Sequence, residues 1–208
     1  MSKPCAILIG AGGHAHACID VIEQHGRYHI AGLVGVPEEK DTQHLGYPVI
    51  ASDDELARLA KDYQYAFICV GQIRSPESRI RLYHQAVSLG FDLPVIVAPT
   101  AYVSGHSVIG AGTIVLHGAI VNAGARVGEN CIINTRALIE HDVIIEDHCH
   151  ISTGAILNGG ASVGAGSFVG SGCVIKEGAA LGKYCVVGMS LSVRYNQPDH
   201  TRFMGENN

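Results

Sequence analysis

The sequence predicts a mixed chain: a small N-terminal parallel α/β (Rossmann-like) domain over residues 1–98, a parallel β-helix over 99–195, and a C-terminal tail over 196–208. Two observations predict it. Short apolar runs alternate with helical patterns through the first hundred residues, and from Val103 onward an aliphatic side chain recurs at every sixth position.

In the first part, a strand is read at Cys5–Ile9, ended by Gly10-Ala11-Gly12-Gly13, with a helix following over Ala15–His25. Strands at His29–Val34, Tyr65–Val70 and Leu93–Val97 and helices at Asp53–Asp62 and Pro76–Leu89 complete it. Ser52 or Asp53 suits the cap of the second helix. Ser75 suits that of the third, with Pro76 at the first helical position, where a missing N–H costs nothing. The glycine loop puts backbone N–H groups at a helix N-terminus, an anion cradle. As a dinucleotide fingerprint it is partial, because Ala15 stands where the third glycine belongs and Gly35 where an acid would hold a ribose. A tight turn that binds nothing would need the same glycines.

The repeat runs from Val103, Ile109 and Val115 to Val187 and Val193, sixteen aliphatic residues in unbroken register. Two places before each stands a mostly small residue, such as Ala119, Ala125 and Ala137; Val143 and Leu191 are the large ones. One large and one small inward residue per six suits a short strand that turns a corner and repeats, and no helical period yields it. Directly after the aliphatic position come Gly110, Asn122, Gly128, Asn134, Asn158, Gly164, Gly170, Gly182 and Gly188, read as corner residues of positive φ. Cys131, Cys149, Cys173 and Cys185 fall in the small inward slot, where a thiol serves as a compact hydrophobe.

Composition narrows the function. The chain has 208 residues, 47% hydrophobic and 16% charged, enough for one good core or two small ones. A formal charge of −5 without a Lys/Arg cluster leaves no footprint for nucleic acid. Cys5–Ile9 is too short for a signal-peptide core, and no window reaches the length of a membrane span. Seven cysteines without a CxxC pair fit a reducing cytoplasm.

Histidines off the inward slots are expected on the outside: His141 at a corner two after Ile139, and His150 on the outer surface one before Ile151. Glu140-His141-Asp142 flanks an imidazole with carboxylates that can orient it and raise its basicity. Acyl transfer from a thioester needs a base and an oxyanion donor, and no metal. An imidazole and a glycine amide can supply both. With twelve histidines in the chain, a surface histidine is equally a bystander.

The repeat resembles the hexapeptide-repeat family, which winds as a left-handed parallel β-helix with three hexapeptides per triangular coil. The segment Ile133–Asp142, with His150-Ile151-Ser152 and Leu157-Asn158-Gly159, is similar to the acetyltransferases of bacterial sialic-acid loci and to the N-acetyltransferases of UDP-linked 4-amino sugars. The resemblance implies transfer from acetyl-CoA to an amino or hydroxyl group of a sugar precursor, in a homotrimer. It makes His141 the general base and Asp142 the group that orients it, and it places His150 on acetyl-CoA near the thioester. The Gly159 amide becomes an oxyanion donor, Ser171, Gly188 and Met189 line the CoA channel, and Gly12, Gly13, His14 and Asn134 face the acceptor.

Two departures stand out. UDP-sugar enzymes of this kind carry aspartates after the second strand, where this chain has Gly35-Val36-Pro37, which points to another nucleotide sugar or a free sugar acid. The chain also stops at Asn208, where relatives continue through a Gly-x-Pro-Ala segment that helps close the CoA site, so altered CoA affinity is expected. Two other readings use the same core. A metal-dependent hydratase similar to the β-helical carbonic anhydrases would hold zinc with three histidines as that class does, but two coils from His106 lead to Asp142, and five after His141 is Glu146, which leaves no triad. A sugar-binding or scaffold trimer would need no exposed Glu140-His141-Asp142.

Overall fold

The structure, a computed structural model, describes residues 3–205. The chain divides into two compact units: Met1–Gly71 with Glu77–Ile96, and Gln72–Pro76 with Val97–Asn208. Gln72–Pro76, which precedes the third helix in sequence, therefore groups with the second unit.

In the first unit β1 (Cys5–Ile9), α1 (Gly13–His25) and β2 (His29–Gly35) are followed by β3 (Gln43–His44) and β4 (Tyr47–Ser52). Then come α2 (Leu56–Leu59), β5 (Tyr65–Ile68) and α3 (Glu77–Ser88). The sheet order is β3-β4-β2-β1-β5, parallel except for the β3–β4 pair. The chain builds outward on one side of β1 and then crosses to the other, so the order reverses between β1 and β5. Ligands of doubly wound sheets bind at the carboxyl ends of the strands around such a point. Ile7, Ile9, Val34, Ala51, Leu56, Ile68 and Leu82 form the core between sheet and helices.

Three expectations for this unit change. β3 and β4 were not expected; Tyr47–Ser52 has the β-branched and apolar content of a strand, interrupted by Pro48. The helix read over Asp53–Asp62 is a 3-10 turn, Asp53–Glu55, followed by a single turn of α-helix. The Ser52 N–H donates to Glu55 Oε2 over 3.1 Å, which tightens that start. Leu93–Val97 does not close the sheet: only Ile96–Val97 is strand, and the sheet ends at β5.

The second unit is a left-handed parallel β-helix of three faces. Each face stacks two-residue strands eighteen residues apart, as Ile120 pairs with Leu138 and Leu138 with Ile156. The sixteen aliphatic residues and their small partners fill the prism. Each large aliphatic taken from water contributes about 1.5–3 kcal/mol. Burial pushes the Cys149, Cys173 and Cys185 thiols up, as expected of protonated core thiols. Residues up to Phe203 continue the coil, with Arg202–Phe203 paired to Val186–Val187, so much of the expected tail is structured. The end of the chain, Glu206 to Asn208, lies outside the described residues.

The corner assignment is corrected. Positive φ occurs three residues after the aliphatic position, in an unbroken series from Gly112 through Asn130, Arg136, Asp142 and His148 to Ser190. The glycines directly after it have another cause. A Cβ on Gly110, Gly164 or Gly170 would lie 2.6 Å from backbone of the next coil, so close stacking excludes a side chain there.

Candidate active site

His141 follows the strand Leu138–Ile139 at the corner where the chain leaves the first face, and its side chain is 67% exposed. The next residue, Asp142, takes the corner conformation at φ 59°, which Asp tolerates better than most residues. Its Oδ2 lies 3.0 Å from His141 Nδ1. A carboxylate only accepts, so in the neutral ring Nδ1 carries the proton and Nε2 the lone pair. Glu140, the other expected partner, instead accepts from Asn122 Nδ2 over 3.0 Å.

Two glycines clear the space for this pair. A Cβ on Gly124, one coil earlier, would overlap Asp142 Oδ1. One on Gly159, one coil later, would stand 2.5 Å from His141 Nε2. The imidazole therefore lies over the Gly159 backbone, with its basic nitrogen toward it. The Gly159 N–H donates to no acceptor among the described residues, whereas the equivalent amides of Glu129, Ala165 and Lys183 are held by carboxylates of the following or preceding coil.

His150 is corrected: it is buried, at 7% exposure. The segment Gln72–Pro76 packs over its face, with Gln72 Nε2 donating to Gly166 O over 3.2 Å. His150 Nδ1 donates to the Gln72 carbonyl over 2.6 Å, and Asn134 Nδ2 donates to Nε2 over 3.1 Å. Phe168 meets the ring edge-on at 5.2 Å. The register alone could not foresee this cover, because Gln72 lies 78 residues away in the chain.

Asn134 occupies the opposite corner of the first face, and its Oδ1 also accepts the Thr135 N–H over 2.7 Å. Along the same corner stand Ser152, hydrogen-bonded to Ser171 over 2.9 Å, then Gly188 and the 77% exposed Met189. A Cβ on Gly188 would come within 3.3 Å of Met204 O, and its N–H donates to Phe203 O over 2.8 Å. Missed in the sequence were Asn122, Gln72 and a groove of about 360 Å³ lined by Asn158, Lys176, Glu177, Arg194 and Tyr195. Lys176 and Arg194 are eighteen residues apart, a spacing the coil period makes legible.

In the first unit, α1 begins at Gly13 rather than Ala15, so Gly13 and His14 lie in its first turn. Its N-cap, Gly12, offers no side-chain cap and no acid stands in the first turn, which leaves the positive end of the helix open. Gly12 and Gly13 are exposed, while His14 is half-buried. Gly10 needs its φ of 118° and has no room for a Cβ, which would lie 2.7 Å from Val70. Among the described residues no three His, Cys, Asp or Glu side chains converge as metal ligands, and no helix is long and apolar enough to cross a membrane.

The PglD N-terminal domain family matches residues 5–86, and the bacterial transferase hexapeptide family, as six repeats, matches residues 124–159. No curated protein sequence is a significant match. Among solved structures, a perosamine N-acetyltransferase from Caulobacter crescentus, in complex with CoA and GDP-perosamine, is 30% identical; the match covers 95% of this chain and 92% of that one, with a TM-score of 0.89. The chain belongs to the hexapeptide-repeat sugar acetyltransferases. The acetyltransferase domain of PglB from Neisseria gonorrhoeae FA1090, in complex with acetyl coenzyme A, is 29% identical over 95% of this chain and 94% of that one, with a TM-score of 0.87. WeeI from Acinetobacter baumannii AYE, at 18% identity and a TM-score of 0.70, shares the fold alone. The chain is thus an acetyl-CoA-dependent sugar acetyltransferase, as the resemblance implied.

Proposed function

We propose that this acetyltransferase moves the acetyl group of acetyl-CoA onto the amino group of a nucleotide-linked amino sugar, with His141 as general base. The observation that carries this is the His141–Asp142 pair with Nε2 held over the unoccupied Gly159 amide. Nε2 removes a proton from the attacking nitrogen as the N–C bond forms, and Gly159 N–H donates to the oxyanion. The C–S bond then breaks, and the proton passes from the imidazolium to the departing thiolate.

Acetyl-CoA lies between two subunits, along the corner of Asn134, Ser171, Gly188 and Met189 of one and the His141 corner of its neighbour, with His150 fixing Asn134 from behind. Lys176 and Arg194 supply positive charge for phosphates in the adjoining groove. The acceptor meets Gly12, Gly13 and His14, where the open end of α1 suits a pyrophosphate. Amino transfer, rather than hydroxyl transfer, is favoured because the C. crescentus relative is an N-acetyltransferase crystallised with GDP-perosamine. A homotrimer is supported by apolar side chains left exposed on two faces, Tyr102 and Ile120 on the first and Val108 and Ile144 on the next. The seven unpaired thiols suit work in the cytoplasm.

The test is thiol release from acetyl-CoA with UDP-, GDP- and dTDP-linked 4-amino sugars, CMP-sialic acid and free nonulosonic acids. Turnover with an amino sugar alone is expected. Turnover confined to the hydroxyl acceptors, or absent with all, contradicts the proposal.

A further inference from the structure

The acid that a doubly wound sheet carries at the end of its second strand is missing from Gly35, yet the structure supplies a carboxylate at that place from another residue. Glu39, in the short turn after β2, folds back so that Oε2 accepts the Val36 N–H over 3.0 Å. A Cβ on Gly35 would lie 2.5 Å from that oxygen, 3.2 Å from Glu39 Cβ and 3.1 Å from Ala11 Cβ of the glycine loop. The glycine and the glutamate are therefore coupled: a side chain at 35 forces the carboxylate to shift. Its other oxygen, Oε1, has no hydrogen-bond partner among the described residues.

We infer that Glu39 reads the nucleoside of the acceptor, accepting from the ribose hydroxyls while the first turn of α1 takes the pyrophosphate. The inference rests on the nucleotide-sugar reading above and names the residue that gives it specificity. The chemistry of the place supports a neutral donor over a phosphate. The cations at this end of the sheet are already paired, Arg81 with Asp53 over 3.4 Å and Lys40 with Glu55 over 3.3 Å, which leaves the Glu39 carboxylate to face the ligand. Phosphate is repelled there, whereas hydroxyl groups donate well to a carboxylate. Gly10–Gly13 and Glu39 then stand at the carboxyl ends of neighbouring strands β1 and β2, as pyrophosphate and ribose require.

Calorimetric titration tests it, with GDP, UDP and ADP against their 2′,3′-dideoxy forms, on the wild type, Glu39→Gln and Gly35→Ala, and with CoA as a control of folding. Glu39→Gln keeps an oxygen for the Val36 N–H, and Gly35 has no positive φ to strain an alanine, so both variants should fold. The wild type is expected to prefer at least one ribonucleotide over its dideoxy form by about tenfold, the worth of one charge-assisted hydrogen bond. Both variants should bring that ratio within about twofold. A wild type that binds nucleotides without this preference, or a Glu39→Gln variant that keeps it, overturns the inference and leaves the acceptor reading standing. No binding of any nucleotide to a wild type that binds CoA overturns the acceptor reading and the inference with it.

Discussion

His141 and His150 lie half a coil apart, and their surroundings are opposite. One stands at an open corner with a single carboxylate partner; the other is buried on a flat face, with both ring nitrogens occupied by a backbone carbonyl and an amide. The difference teaches where a repeat decides function. At a corner the backbone turns away and a side chain meets solvent and substrate, whereas on a face anything the chain lays across it converts an outward residue into a core one.

Substitutions at the two histidines should therefore separate rate from stability. The largest effect is expected for His141→Ala: a loss of about 10²–10⁴ in kcat with an unchanged melting temperature, read by thiol release and calorimetry. Gly159→Ala should follow, at about 10²-fold, because its methyl group displaces the imidazole; an unchanged rate would break the link between that glycine and the base. His150→Phe should act the other way. It strands the Gln72 carbonyl and the Asn134 amide, so stability falls by about 1–3 kcal/mol in denaturant titration, with a smaller loss of rate than at His141. A variant at 150 that loses rate like His141→Ala while staying stable would erase the distinction.

The smallest effect belongs to the α/β unit. Glu55 is held at about 2, first by the Ser52 N–H, then by Arg58 and Lys40, against an ordinary 4.5. A carboxylate lowered in the folded state stabilises fully above its unfolded value, and that contribution fades as pH falls from about 4.5 toward about 2. Glu55→Gln should flatten this part of the melting-temperature profile, and by little, since solvent screens the group.

The same contrast explains what the sequence made legible. The coil was readable residue by residue because a period of six repeats one local rule, and His141, Asp142 and Gly159 fall together because eighteen residues make one turn. The positive-φ corner was misplaced by two residues, since glycine marks both a left-handed backbone and a close approach of two strands. His150 was misread because its cover comes from Gln72, a contact without period or motif. In the α/β unit, Pro48 hid β4, and the carboxylate at the end of β2 comes from a turn residue that no fingerprint would place.

The central claim is that the nitrogen to be acetylated meets the corner imidazole. A crystal structure of the His141→Asn variant with CoA and the accepted nucleotide-linked amino sugar tests it directly. The account predicts that nitrogen at about 3 Å from the side chain at 141, with the CoA sulfur beside the Gly159 N–H. A sugar nitrogen out of reach of residue 141, or one held against His150, would contradict it.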